Sequence, residues 1–389
     1  MADSKYDFLV FGADGIQGRI VARELLEKGY KVFLSDLYRI HVPKLMEQFH
    51  KKMSAFAYVD LRDFDRAVNV IQKSGAEVVI NCAEGDWNLN VYNACFHARV
   101  HCIDLGSHTE MTKKQLGMND DFREVGKTAI TGCGSAPGVV NVMLRYAAKK
   151  FDSIETIEAG FAWDSNIEKF VVPFSIESIL EEFTLPAPYL MNRRWRKEIP
   201  NLNNLESRFY RGIGHQKSFL VDHAETVTFY KYFKEKGVRN IRFYAGFPEH
   251  SIKVIKTLID LTFHNKKSVR FNGSNILPDE FLSQMLKRLK MPRGYKEWEN
   301  LWVSIIGSKD RRKKNILMEC LVPTLKEWEE AGCNIDTGMP AAIIGRMIYE
   351  GDIEKRGSFA PEGIVPEKLF FKELKKRKML VYENGERVN

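Results

Sequence analysis

The sequence predicts an α/β protein built on a doubly wound parallel sheet, with an α+β domain inserted into it. Three observations predict this. Short apolar runs alternate with helical patterns over roughly the first 130 residues, a glycine-rich turn joins the first run to the first helix, and beyond Pro137 the alternation yields to longer β-rich stretches. Parallel strands buried on both faces read as continuous apolar runs, and the early segments have that character.

Residues 8–11 form the first run, and Ile20, Val21, Leu25 and Leu26 follow at helical spacing, with Gly29 placed to stop that helix. Strands are predicted over 31–35 and 55–59, and helices over 42–52 and 63–74. Residues 78–81 read as a fully buried strand, 91–99 as its crossover helix, and 101–105 and 127–132 as further strands. The β-rich part offers strands over 156–163, 238–246, 267–271 and 301–307, with helices near 175–183 and 251–261. Helix returns over 340–349, where Ala341, Ile343, Ile344, Met347 and Ile348 are apolar, and a terminal helix spans 366–378. No repeat or low-complexity linker marks a boundary, so the one placed near 135–150 rests on the change of pattern.

At 389 residues and 44% hydrophobic composition the chain has material for two cores. Its net charge of +8 is scattered, with the densest groups at Arg193, Arg194, Arg196 and Lys197, at 311–314 and at 372–378. No aromatic stacking platform accompanies them, so they read as solvated faces and no nucleic-acid partner is expected. Cys82, Cys95, Cys102, Cys133, Cys320 and Cys333 form no C-x-x-C pair and have no histidine at zinc spacing, which predicts free thiols and no metal site. With no basic leader and no apolar run of membrane-spanning length, the expected setting is cytoplasmic, away from a membrane.

The turn reads Gly12-Ala13-Asp14-Gly15-Ile16-Gln17-Gly18, between a buried strand and an amphipathic helix. In that context it is a Rossmann phosphate turn: Gly12 permits the tight bend, Gly15 lets the backbone approach a pyrophosphate, Gly18 allows close helix packing, and the helix N-terminus offers free N–H donors. A structural βα turn without ligand is the alternative. Asp36 ends the second strand, where its carboxylate can accept from both adenosine ribose hydroxyls and repel a 2′-phosphate. That favours NAD, while Arg39 keeps NADP open by offering to neutralise such a phosphate. Asp60 and Leu61 are placed to border the adenine, or Asp60 serves the next helix as a cap. Asn81, Cys82 and Ala83 end the fourth strand near the nicotinamide ribose. Pro137 and Gly138 open a helix whose amides can receive the nicotinamide carboxamide or a substrate carboxylate.

With these strands placed, the chain resembles the saccharopine dehydrogenase superfamily, and within it the lysine 6-dehydrogenase and carboxynorspermidine dehydrogenase group. The resemblance rests on Cys102-Ile103-Asp104-Leu105-Gly106-Ser107-His108, on Gly134-Ser135-Ala136-Pro137-Gly138-Val139-Val140-Asn141, and on the helix 174–180. Lys355-Arg356-Gly357, Pro361-Glu362 and Ile364-Val365-Pro366 complete it. It implies a discontinuous dinucleotide-binding domain of residues 1–135 with 338–389, a substrate-binding and dimerisation domain of 136–337, and a homodimer. It also implies hydride transfer between nicotinamide and a carbon bearing nitrogen. Ala83-Glu84-Gly85-Asp86-Trp87 and Asp222-His223-Ala224-Glu225-Thr226 depart from the lysine 6-dehydrogenase pattern, the first by being less aromatic and more acidic, the second by replacing small residues.

An amine yields hydride only when its nitrogen is unprotonated, so the site needs a base near that nitrogen and, for deamination, a group that activates water. Asp104, His108 and Glu110 follow the fifth strand, at the sheet edge where ligands of doubly wound folds bind, and the superfamily carries an acidic residue matching Glu110 in some members. A turn-stabilising or surface role competes for each of the three. His223 and Glu225 lie in a segment that the resemblance aligns with substrate contacts. Glu84 and Asp86 suit the distal ammonium of a diamine or basic amino acid, with a solvated loop as the alternative. Arg211, Arg193 or Arg194 would pair an α-carboxylate, and Trp87, Trp163 and Tyr189 either wall the cleft or pack in the core. The expected function is NAD(P)-dependent oxidation or reduction at a C–N bond of a basic amino acid or polyamine-like substrate. Three forms are open: lysine 6-dehydrogenase-like deamination, reduction of an imine formed from an amine and a carbonyl acid, and a non-catalytic NAD(H)-binding sensor or scaffold.

Overall fold

The computed structural model describes residues 5–106, 108–172, 175–200, 205–286 and 288–389; Ser107 and Phe174, which belong to two of the resemblance segments, lie outside them. The first six strands are β1 (Phe8–Phe11), β2 (Val32–Asp36), β3 (Ser54–Tyr58), β4 (Val78–Asn81), β5 (His101–Asp104) and β6 (Thr128–Ile130). All pair in parallel, and the order β6-β5-β4-β1-β2-β3 reverses direction between β1 and β4, the crevice where doubly wound sheets bind dinucleotides. Leu9, Phe11 and Val79 face one layer of helices with Val91, Tyr92 and Phe122, while Phe8, Val10 and Ile80 face the other.

The chain then builds a mixed sheet. Its strands are β7 (Ser153–Ser165), β8 (Ala187–Met191), β9 (Arg194–Glu198), β10 (Glu206–Tyr210), β11 (Gly214–Leu220) and β12 (Asn240–Gly246), then β15 (Glu297–Lys309) and β16 (Arg312–Pro323) after a separate hairpin of β13 (Val269–Phe271) and β14 (Ser274–Ile276). Alternation along β7 sends Ile157, Ala159, Phe161 and Trp163 inward, into one apolar core shared with the parallel sheet. Ala162 faces outward and clusters with Tyr210, Tyr244 and Trp302. The helix Val139–Ala148 packs under the inner face of β7, β15 and β16.

Near the C-terminus the chain returns to the first sheet. β17 (Gly357–Phe359) pairs in parallel with β6, and the helix Ile335–Tyr349 lies against Ile16–Glu27 and β4. That close approach needs glycine: a Cβ on Gly338 would stand 2.5 Å from Ile20 Cγ2, and one on Gly345 would stand 2.9 Å from Ile80 Cδ1. These contacts support the proposed division in which residues from 338 return to the dinucleotide domain. The tail departs from it, because β18 (Leu380–Glu383) pairs with β16 of the mixed sheet and β19 (Glu386–Arg387) with β18. Backbone pairing therefore ties the last ten or so residues to the inserted part.

The chain is an α/β protein with a Rossmann-type parallel sheet and a second, mixed sheet, as the sequence predicts. Among the described residues no helix is long and apolar enough to cross a membrane. The basic group around Arg193, Arg194, Arg196 and Lys197 lies exposed on the β8–β9 hairpin. Replacing Gly338 by leucine should force the 335–349 helix off its neighbour and cost about 2 kcal/mol of stability, read by denaturant unfolding.

Candidate functional site

The dinucleotide turn is shaped by close approach. Gly12 adopts φ +68°, and a Cβ there would stand 2.4 Å from Ala83 N at the end of β4; one on Gly18 would stand 2.0 Å from Gly12 O. The helix Ile16–Glu27 begins at Gly15 with no side-chain cap and no acidic residue in its first turn, so its leading amides are open to an anion. A pyrophosphate fits this cradle. Ile16 is half-exposed beside it, and Gln17 Nε2 donates to Asn334 Oδ1 at 3.1 Å.

Three carboxylates predicted near the cofactor have different occupations. Asp14 Oδ1 accepts from the amides of Ile40, His41 and Val42 at 2.6–2.9 Å, and these bonds outweigh burial to hold its carboxyl below the usual range. It pins the loop after β2 to the turn, so its side chain is committed to the protein itself. Asp60 is forked by Arg62, which lowers its carboxyl to about 2, so the pair is an exposed local clamp and the expected adenine contact is left to Leu61 beside it. Asp36 stands where predicted: its Oδ2 accepts from Asp14 N at 2.8 Å and its Oδ1 from Tyr38 N at 3.0 Å. Arg39 is exposed, with its guanidinium 5.1 Å from the Phe56 ring centre.

At the end of β4, Asn81 is buried and donates to Asn88 Oδ1, and its Oδ1 accepts from Ala83 N. Cys82 is half-buried, with its thiol pushed far up by desolvation. Glu84 and Asp86 are exposed on the following turn, and Trp87 packs against the core of Val91 and Tyr92. Pro137 seats its ring on Gly106 and Gly132, whose added Cβ atoms would stand 2.6 and 2.7 Å from it. Gly138 N donates to Asn141 Oδ1 at 2.8 Å, which fixes the turn at the mouth of the next helix.

The group after β5 does not converge on a reaction centre. Asp104 is fully buried and accepts from Gly106 N, Gln115 Nε2, Thr131 Oγ1 and Gly132 N, which corrects its reading as a free base. Burial pushes its carboxyl up, partly offset by those donors. Glu110 is exposed and paired with Lys113 at 2.7 Å, which lowers its carboxyl, and His108 caps its own helix by accepting from Met111 N. Both are corrected to surface roles. Arg211 is corrected as well: it pairs with Glu319 at 3.1 Å and lies over Tyr382, on the outer face of the mixed sheet. Arg193 and Arg194 are exposed on their hairpin.

His223 and Glu225 come together, with two partners that sequence reasoning did not single out. The His223 ring stacks on Phe243 at 4.2 Å and 5°, with Nδ1 3.3 Å from Glu225 Oε2 and Nε2 3.7 Å from Glu182 Oε1. Burial alone would lower its pKa, but the two carboxylates prevail and hold it at about 10. His223 is therefore a clamped imidazolium at neutral pH, not placed to act as a base. Burial raises Glu182, with His223 opposing. On the facing wall Glu362, directly beyond β17, accepts from Asn141 Nδ2 at 2.8 Å; burial raises it to about 7 against the bonds from Thr228 and Asn141, and the Glu225 charge adds to the rise. Thr109 Oγ1 donates to Asp222 Oδ1 at 2.8 Å and Ala360 N to Tyr232 Oη at 3.1 Å, so both walls are stitched together around the cluster.

Oxygens Oε2 of Glu182, Oε1 of Glu225 and Oε1 of Glu362 are each buried without a donor. Two carboxyl groups on one imidazolium, with Glu362 near Glu225, leave the cluster short of positive charge, and it can accept a cation or a proton. A signal for Glu182 was present in its position among Ile179, Leu180 and Phe183 on a helix; Glu362 had only its place at a strand-to-helix turn. Among the described residues all six cysteines are free thiols, and no group of three or more candidate ligands is arranged to hold a metal ion.

Residues 8–130 match the family model of the saccharopine dehydrogenase NADP binding domain, and residues 134–380 match that of the saccharopine dehydrogenase C-terminal domain. Carboxyaminopropylagmatine dehydrogenase of Synechocystis sp. is 25% identical over 378 residues, covering 94% of each chain. Carboxynorspermidine synthase of Vibrio alginolyticus is 24% identical over 337 residues, covering 82% of this chain and 80% of its own. In fold, the apo saccharopine dehydrogenase (L-Glu forming) of Saccharomyces cerevisiae superposes with a TM-score of 0.74 at 12% identity, over 99% of this chain and 100% of that one.

Replacing Asp104 by alanine should orphan four donors and cost at least about 3 kcal/mol in denaturant unfolding, while turnover per folded molecule stays within a few-fold. For His223 the folded pKa lies above its unfolded value, so its contribution is full below about pH 6.5 and fades towards pH 10. Thermal unfolding of His223→Gln should therefore fall furthest below wild type in mild acid and approach it in alkali.

Proposed function

This chain belongs to the saccharopine dehydrogenase family, and on that footing we propose that it reduces the imine formed between a polyamine-like amine and a carbonyl acid. It is an oxidoreductase of that family and uses a nicotinamide dinucleotide. The observation that carries the finer reading is the buried pair Glu182 and Glu225 on His223, with Glu362 near Glu225, whose unpartnered oxygens suit a cationic amine. The relatives are named for carboxylated polyamine-type products. Lysine 6-dehydrogenase-like deamination is the second reading; neither of these relatives is named for it.

Reduced nicotinamide, held by the turn at Gly12, Gly15 and Gly18, would supply hydride. Around it, Asn141 fixes the Gly138 turn, and the walls joined by Thr109–Asp222 and Tyr232–Ala360 exclude water from the C–N centre. His223 holds Glu182 and Glu225 in place. The Asp36 carboxylate favours NAD, with Arg39 near enough in sequence to admit NADP. The reading includes a homodimer, a cytoplasmic setting and small-molecule substrates.

Dinucleotide oxidation followed with amine alone, carbonyl acid alone and both together, using NADH and NADPH in parallel, tests this. Turnover is expected only with both substrates. Formation of NADH from lysine and NAD, with no turnover from any amine and carbonyl-acid pair, would establish deamination instead.

A further inference from the structure

Glu362 is given no proton-transfer role in the reaction above. It follows β17 at the C-terminal edge of the parallel sheet, and its side chain is 2% exposed. Asn141 bridges it to the Gly138 turn: the same side-chain amide donates to Glu362 Oε2 and accepts from Gly138 N, both at 2.8 Å. Glu362 is thus one residue removed from the turn expected to face the nicotinamide. Across from it stands Glu225, fully buried, and each of the two has an Oε1 without a donor.

We propose that Glu362 is the acid–base residue of the C–N chemistry, taking a proton from the incoming ammonium and returning it to the departing hydroxyl. This rests on the imine-reductase reading. The surroundings keep the group poised. The helix Glu225–Phe233 presents Glu225, Thr228 and Tyr232 to it, and Glu182 adds negative charge beyond His223. From the helix Val139–Ala148 comes Arg145, which donates to the Glu362 main-chain carbonyl and pairs with Glu367, as does Lys149. No cation in this set pairs with the Glu362 carboxylate itself. A folded-state pKa near 7 agrees with that balance, since a shuttle must both gain and lose its proton at working pH.

The steps balance. The Glu362 carboxylate takes a proton from R–NH3+, freeing the nitrogen lone pair. The nitrogen attacks the carbonyl carbon, a C–N bond forms, and a proton passing from nitrogen to oxygen leaves a hydroxyl. Glu362 returns its proton to that hydroxyl, the C–O bond breaks, and water leaves an iminium. Hydride from the dinucleotide brings two electrons to the carbon, giving the secondary amine and the oxidised dinucleotide. The product amine then takes a proton from water, and Glu362 is a carboxylate again.

The test uses the full chain with Glu362→Gln and Glu362→Asp. Glu362→Gln should lower kcat about 100-fold, leave dinucleotide affinity unchanged and remove a limb near pH 7 from kcat/KM. Glu362→Asp should restore part of kcat and keep the limb. Carbon-13 NMR of glutamate carboxyls in the dinucleotide-loaded protein, which needs no substrate, should show a group titrating near pH 7 in wild type that is missing from Glu362→Gln. A wild type in which no signal titrating near pH 7 is lost on Glu362→Gln would overturn the proposal. So would a Glu362→Gln enzyme within twofold of wild type in kcat with an unchanged limb, and that result would leave imine reduction standing. A wild type that reduces no pair of amine and carbonyl acid would overturn both readings together.

Discussion

One apolar core runs without a break from the parallel sheet into the inner face of the mixed sheet, and every polar group set into it must find its partner inside. That constraint organises the site. Asp104 answers it with four donors drawn from three segments of chain, and so holds the turns after β5 and β6 in one arrangement. Asp14 answers it with three consecutive amides and joins the glycine turn to the loop that carries Asp36. Around His223 the accounting stays open: one carboxylate oxygen each of Glu182, Glu225 and the nearby Glu362 is buried without a donor. Oxygens left in that state where two walls meet can take up something that arrives with protons.

The parts legible in the sequence are those governed by local periodicity or local backbone demand. β1 and β4 read directly because a strand buried on both faces is a continuous apolar run, and the glycine turn reads because positive φ at Gly12 and the close approach at Gly18 exclude any side chain. The strands β8 to β11 and β16 escaped notice because they are polar on one face and their register comes from partners far along the chain. The terminal strand β18 escaped for the same reason, so the tail was assigned wholly to the first sheet.

Among the carboxylates, sequence position does not separate a ligand role from a structural one. Asp14, Asp60 and Asp104 sit at the strand ends where ligand-binding groups belong, and each is occupied by the protein itself, through neighbours whose donor geometry no spacing rule displays. Glu362 shows the converse. Its significance lies in a bond to Asn141, 221 residues away, and in its nearness to Glu225 at the start of the helix Glu225–Phe233. Both relations exist only once the two sheets have closed on each other.

Binding and reactivity make opposite demands on an amine. A cluster rich in carboxylates holds an ammonium well, yet an ammonium has no lone pair with which to attack a carbonyl. A site of strong, fully ionised carboxylates would bind the cation and stop there. A site of neutral groups would not collect it from water. The clamped imidazolium resolves part of the conflict, because His223 spends its charge on Glu225 and Glu182 and keeps both fixed. That fixed negative charge is also what makes a second proton easy to keep on Glu362, the carboxyl group opposite. One wall thus supplies the attraction and the other the proton transfer, and their separation onto two sheets explains why the site is complete only where the sheets meet.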